Sequence, residues 1–224
     1  MLSPSTEDYL KALYELSEQE GRAHTGGLAR RLGVSPASVT GMLRKLAGHT
    51  PQLVVYHRHR GAELSPEGRR RAMEIIRHHR LIETFLHQEL EIPWDQVHAE
   101  ADRMEHTLSE AVEDRMADRL GHPVVDPHGA LIPEKDGSLP PRAEIPLARL
   151  SPGESGRVAQ VPDEDSALLR HLDDLGLRPG APVTLLDREP IDGLMRIRVA
   201  GHAGDRLVGQ RVAEAVSVER LTTK

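Results

Sequence analysis

His98, Asp102, Glu105 and His106 fall within one ten-residue run, VHAEADRMEH, and imidazoles and carboxylates are the side chains that ligate hard and borderline divalent cations. If the run is helical, at about 100° per residue, Asp102, Glu105 and His106 lie about 40°, −20° and 80° from His98, so all four share one strip. Val97, Ala101, Met104 and Leu108 form the neighbouring face, which sets the strip beside a core. A second run, RHHRLIETFL, puts His79 and Glu83 one turn apart on the helix expected before it. Charged and polar groups crowded against apolar surface are costly unless a cation pairs them. The alternative is a pair of solvated helix faces; two such helices in succession favour a divalent metal site.

The chain has 224 residues and no cysteine, so disulfides and thiolate ligation are excluded. Oxygen and nitrogen ligation suits Mn(II), Fe(II), Zn(II), Co(II) or Ni(II) and disfavours Cu(I) and iron–sulfur clusters. The start MLSPSTEDYL has no apolar signal core and no stretch reaches membrane-span length, so the reading is a cytoplasmic protein without membrane contact. The net charge of −6 is unevenly spread: residues 22–80 hold 12 Lys/Arg against 3 Asp/Glu. A basic segment on an acidic chain points to a local polyanion contact. Aromatic residues make up only 2% of the chain, which favours double-stranded DNA over single strands stacked on aromatic platforms.

The elements that must position these residues follow from their punctuation. Residues 6–20 read as a helix with Thr6 as its N-cap, and Thr25 opens a short helix that stops at Gly33. Pro36 then starts PASVTGMLRKLA. Leu53–Tyr56 and Ala62–Leu64 read as strands around the tip His57-Arg58-His59-Arg60-Gly61. A long helix follows Ser65-Pro66 to about Leu90, and another spans Asp95–Leu120. Residues 121–146 form a Pro/Gly-rich connector, in which His122, Asp126 and His128 read as structural, with a metal role as the alternative. From Leu147 onward, GRVAQV, APVTLLD, LMRIRVA, DRLVG and VSVERL, interrupted by the helix DSALLRHLDDLG, have the texture of a small β-barrel.

Ala29, Gly33 and Val39 have helix-turn-helix spacing: a small residue for close helix approach, a turn glycine, and an apolar residue packing back. Ser35, Ala37, Ser38, Thr40, Gly41 and Arg44 then lie at the exposed start of the recognition helix, and Arg58 and Arg60 on a wing. Few of these side chains are long enough for bidentate base reading, so phosphate contacts and DNA shape carry much of the recognition.

In this order, TEDYLKALYEL, LARRLGVSPASVTGMLRKL, LSPEGRRRA, HHRLIETFL, VHAEADRMEH and DPHGALIP make the chain resemble the diphtheria toxin repressor family of metal-dependent transcription factors over nearly its whole length. The resemblance implies a homodimer that binds palindromic operator DNA when metal-loaded and represses metal-uptake genes. It assigns Asp102, Glu105 and His106, with Asp8 from the first helix, to a regulatory metal site, and His79, Glu83 and His98 to an ancillary one. It also implies a Src-homology-3-like C-terminal domain whose acidic residues Asp163, Glu164 and Asp165 can reach the ancillary site, with helix capping as their other role. Asp at both 8 and 102 is similar to the manganese-responsive branch, where iron-responsive members have Met and Cys. The chain departs from the short manganese regulators at Lys11, where they carry a ligating glutamate.

The expected architecture is mainly α with a small β part: a winged helix-turn-helix domain over 1–73, a helical dimerisation and metal-binding domain over 74–141, a linker over 142–149 and a β-barrel over 150–224. The expected function is a Mn(II)-dependent repressor acting on double-stranded operator DNA, with no small organic substrate and no catalysis. Two alternatives stand beside it. One is an Fe(II)-responsive repressor of the same fold. The other is a metal-dependent hydrolase, for which no H-E-x-x-H motif is present and to which a DNA-binding module would be foreign.

Overall fold

The computed structural model describes residues 2–57, 60–189, 191 and 193–221. The chain packs as two compact units: Met1–His79 with Met104–Glu110 and Pro133–Ser138, and Arg80–Arg103 with Ala111–Ile132 and Leu139–Lys224.

The first unit opens with α1 (Pro4–Glu20). Its cap is Ser3 and not Thr6: the Ser3 hydroxyl accepts from the Thr6 N–H, Pro4 supplies the first helical φ, and Thr6 is buried. Leu10 and Leu13, one turn apart at the spacing that faces a core, are fully buried. Next come α2 (Thr25–Arg31) and α3 (Pro36–Ala47), with Gly33 between them at φ +63°, a left-handed conformation that favours glycine. Val39 and Leu43 of α3 are buried with Leu28 of α2, and α1 packs against α2. β1 (Val54–His57) and β2 (Gly61–Leu64) pair antiparallel, with Val54 opposite Leu64, and α1 packs against β2.

The long α4 (Pro66–Leu90) starts where the Ser65 hydroxyl accepts from the Gly68 N–H at 3.0 Å. A Cβ on Gly68 would lie 1.9 Å from the Leu53 carbonyl oxygen, so only glycine lets the helix start this close to the strand. The division between the units falls inside α4, after His79.

The single helix expected over Asp95–Leu120 is two. α5 (Val97–Met104) passes into a 3₁₀ turn at Glu105–Thr107, Leu108 is extended at φ −67°, ψ 127°, and α6 (Glu110–Arg119) begins after Ser109. Ser109 stands at the N-cap position, where serine is favoured and helical φ/ψ is not required.

In the second unit the C-terminal part is a six-stranded antiparallel sheet of order β3-β8-β4-β5-β6-β7. Its strands are β3 (Ile145–Pro146), β4 (Ser155–Gln160), β5 (Pro182–Arg188), β6 (Met195–Val199), β7 (Arg206–Val208) and β8 (Ser217–Arg220), with α7 (Ser166–Leu175) and α8 (Gln210–Ala215) in the connections. Among the described residues no pairing joins β3 to β7, so the sheet is open. Leu169, Leu172, Val183, Leu185, Ile197 and Val218 fill its core, and Trp94, from the segment before α5, is buried in that same cluster. Among the described residues no helix is long and apolar enough to cross a membrane.

Candidate metal centres and DNA-facing surface

The 3₁₀ turn matters because it takes Glu105 and His106 out of the α5 register and sets them, within the first unit, against α1. There Asp8, Glu105 and His106 each offer a ligand atom, all within 4.8 Å of one another. His106 Nε2 lies 2.9 Å from Asp8 Oδ1 and 3.7 Å from Glu105 Oε1. On the other side of the ring, His106 Nδ1 lies 2.8 Å from Glu7 Oε2. A carboxylate behind an imidazole fixes which nitrogen carries the proton and which faces the metal position. Glu7 is a partner that the ligand pattern does not reveal; only its neighbourhood to Asp8 in the first turn of α1 hints at it.

Glu105 is nearly buried, at 2% exposure, and its second oxygen is occupied: Lys11 Nζ donates to Oε2 at 2.8 Å, and His79 Nδ1 lies 2.5 Å from the same atom. Lys11 Nζ is also 2.9 Å from His79 Nδ1. Burial pushes the Glu105 carboxyl up, but the His79 hydrogen bond and the Lys11 charge outweigh it and hold it below the usual range. At Asp8 burial wins over the attraction of His106, so that carboxyl sits above its usual value. Two carboxylates and an imidazole, assembled and partly desolvated, fit a hard divalent cation.

The second unit gathers another set. His98 Nδ1 is 3.1 Å from Glu83 Oε1, and Asp163 Oδ2 is 3.9 Å from the same His98 nitrogen. Glu83, His128 and Asp163 also offer donor atoms within 4.8 Å of one another. Glu83 and His128 are both fully buried. His128 Nδ1 has no hydrogen-bond partner and faces Glu83 Oε2 at 3.8 Å. Asp126 Oδ1 accepts from the N–H groups of His128 and Ala130, which shapes the loop, while its buried Oδ2 has no hydrogen-bond partner. Burial alone lowers the His128 basicity, but Glu83 and Asp126 reverse this and raise it to about 9. Burial and the Glu83 charge hold Asp126 well above the carboxylate range. Acidic groups and an imidazole buried together with polar atoms left over fit a cation that would satisfy them.

The placements of the expected ligands differ in kind. Asp8, Glu105 and His106 converge. Asp102, at 51% exposure on the last turn of α5, lies 3.6 Å from His98 Nε2 in the second unit. Glu83 and His98 meet, whereas His79 is hydrogen-bonded to Glu105 in the first unit. Of the three acids before α7, Asp163 approaches the His98 ring, and Asp165 is the N-cap, accepting from the N–H groups of Ala167 and Leu168. Glu164 is exposed. His128, read from sequence as structural, stands beside the buried Glu83. Only tertiary structure brings them together, across 44 intervening residues.

On α3, Ser35, Ala37, Ser38, Gly41, Arg44 and Lys45 are exposed. Ser35 caps the helix by accepting from the Ser38 N–H at 3.1 Å, and Thr40 donates its hydroxyl to the Pro36 carbonyl. Arg44 and Lys45 are therefore the long cationic side chains of this surface. Arg60 is exposed at the tip of the β1–β2 hairpin, and Arg58 lies outside the described residues.

Known proteins match this arrangement along the chain. Residues 1–62 match the family model described as iron dependent repressor, N-terminal DNA binding domain. Residues 65–134 match iron dependent repressor, metal binding and dimerisation domain, and residues 145–220 match the FeoA domain. The iron-dependent repressor IdeR of Mycobacterium tuberculosis (strain H37Rv) is 33% identical over 98% of this chain and 99% of its own. The HTH-type transcriptional regulator MntR of Geobacillus kaustophilus is 35% identical over 53% of this chain and 82% of its own. A solved structure of a manganese-dependent transcriptional repressor in complex with manganese superposes with a TM-score of 0.89 at 33% identity, covering 96% of this chain and all of that one. These relatives are named as transcriptional repressors or regulators, and none as a hydrolase. The chain belongs to the iron-dependent repressor, or diphtheria toxin repressor, family of metal-dependent DNA-binding transcriptional repressors.

Proposed function

We propose that this chain is a Mn(II)-responsive repressor of metal-uptake genes, acting in the cytoplasm as a homodimer on palindromic operator DNA. The observation that carries the metal preference is the convergence of Asp8, Glu105 and His106, a donor set of hard oxygens and one imidazole with no sulfur. Such a set suits Mn(II), because it withholds the sulfur ligands from which softer ions gain. Likeness to a manganese-dependent repressor over nearly the whole chain supports it. The division into 1–73, 74–141, 142–149 and 150–224 is kept as the functional one. Exposed Leu90, Val112, Val124 and Val125 supply apolar surface in the middle region for a second copy.

Asp8, Glu105 and His106 would hold the regulatory ion, and Glu83, His98, His128 and Asp163 a second ion; the assignment of Asp102 to the regulatory ion and of His79 to the second rests on the family resemblance alone. By the same resemblance Glu164 and Asp165 would support the second set, Asp165 in addition to capping α7. A bound cation supplies positive charge that neutralises the facing carboxylates. The chain's own part is mechanical: Asp8 sits on α1, and α1 packs on both α2 and β2, so fixing Asp8 against the Glu105–Thr107 turn fixes the reading head made of α3 and the hairpin. Narrowing the orientations of that head raises operator affinity without a new DNA contact. Ser35, Ala37, Ser38, Thr40, Gly41 and Arg44 would lie along the groove, with Arg58 and Arg60 reaching backbone from the wing.

The test is an operator-binding titration of chelator-stripped protein with Mn(II), anaerobic Fe(II), Co(II) and Zn(II) on one promoter fragment of a metal-transporter gene. Mn(II) should activate at a lower free concentration than Fe(II), the reverse of the general affinity order of such sites, and Asp8→Ala or His106→Ala should remove activation while the dimer persists. Equal binding by stripped and loaded protein would overturn metal control. An Fe(II)-responsive repressor is the second reading, favoured by the full-length likeness to IdeR; activation by Fe(II) at lower free concentration than Mn(II) selects it.

A further inference from the structure

We infer that Trp94 is a positioning residue for His128 in the second cluster, and that Arg178 holds the same indole from the sheet part of the unit. The inference rests on the reading of Glu83, His98, His128 and Asp163 as metal ligands. His128 Nε2 lies 2.8 Å from the Trp94 carbonyl oxygen. A carbonyl only accepts, so a ring proton stays on Nε2, and when the ring gives up its second proton to act as a ligand the lone pair appears on Nδ1, the atom that faces Glu83. The Trp94 and His128 rings stack at 5.8 Å between centroids and 24° between planes, which sets the tilt with which Nδ1 points into the cluster. Arg178 Cζ lies 5.0 Å from the centroid of the same indole, and its Nε donates to Asp173 Oδ1. Trp94 is buried in the core of the sheet. The loop bearing His128 is pinned to β4 as well: a Cβ on Gly129 would stand 2.0 Å from the Ala159 carbonyl oxygen, and the Val161 N–H donates to the His128 carbonyl. The residues flanking α7 therefore act on the cluster twice, through the donor Asp163 before it and through Arg178 after it.

The experiment uses full-length protein carrying Asp8→Ala, so that the first cluster is silent, and Co(II) titrated against a competing chromogenic chelator. Every substitution at 94 keeps the backbone carbonyl, so a change reads the side chain and not the Nε2 hydrogen bond, and Trp94→Phe, which keeps an aromatic ring in the core, separates the ring contact from lost packing. Trp94→Leu should weaken Co(II) binding about tenfold, the usual scale for losing a group that orients a ligand, and should shift the visible Co(II) bands. Trp94→Phe should restore most of both. Arg178→Met, at a half-exposed position where the fold is not at risk, should weaken binding about threefold, with Arg178→Lys recovering part. Wild-type affinity and bands in Trp94→Leu, or in Arg178→Met where Trp94→Leu does not fold, overturn the proposal alone. If adding Glu83→Gln to the Asp8→Ala protein changes no Co(II) binding, the second cluster and the proposal fail together.

Discussion

Lys11 is a cation already present beside a cluster that would hold another. Its ammonium and the His79 ring share one oxygen of Glu105, leaving Oε1 directed towards His106. Lys11→Met should destabilise the metal-free protein by about 2 kcal/mol, because a nearly buried carboxylate loses a charged hydrogen bond. Mn(II) should then raise the melting temperature of the variant more than that of the wild type. Equal increments in both proteins would show that Lys11 has no part in keeping Glu105 in place. Glu67 offers an acid-range test. The Arg70 hydrogen bond, joined by Arg71, lowers its carboxyl to about 2. Because the folded value lies below the unfolded one, its contribution is complete above about pH 4.5 and is lost as pH falls through about 2. The stability difference between wild type and Glu67→Gln should shrink over that window in denaturant titrations; a constant difference would contradict the pairing. Residue types and helical spacing were enough to mark Glu83, His98, Glu105 and His106 from sequence, and the family resemblance added Asp8 and Asp163. Neither was enough for the parts of Glu7, Lys11 and His128, which depend on neighbours far along the chain.

At the scale of elements, the break after Met104 decides which carboxylates converge. Val97, Ala101, Met104 and Leu108 keep helical spacing straight through it, so apolar periodicity reads one helix where there are two. Ser109, the local signal for the break, is one polar residue among many. Replacing Thr107, Leu108 and Ser109 together by alanine should favour continuous helix, raising the far-ultraviolet helical signal while weakening metal-induced operator binding at least tenfold. A gain in helix with unchanged metal response would separate the turn from the site. Ser35-Pro36 and Ser65-Pro66 mark the starts of α3 and α4, and Ser3-Pro4 marks α1 in the same way, with Thr6 a competing cap only by residue type. The hairpin and the strands of the C-terminal sheet were legible because apolar alternation and turn residues coincide there. β3, two residues long, leaves no period to detect.

Across the whole molecule, charge is segregated along the chain, with the basic excess in residues 22–80 although the total is a net −6. Operator affinity should therefore fall steeply with salt, and Arg44→Ala with Lys45→Ala should reduce the slope of log K against log salt by about two units if both touch phosphate. An unchanged slope would place both side chains off the backbone. Trp94 has one more consequence. The sheet it inserts into cannot be treated as a detachable appendage, because a protein ending at residue 141 would leave a large indole without the surroundings that now cover it. Such a shortened protein should show a red-shifted tryptophan emission and a tendency to self-associate through the bared surface, and poor solubility would mask whatever regulation its remaining helices retain.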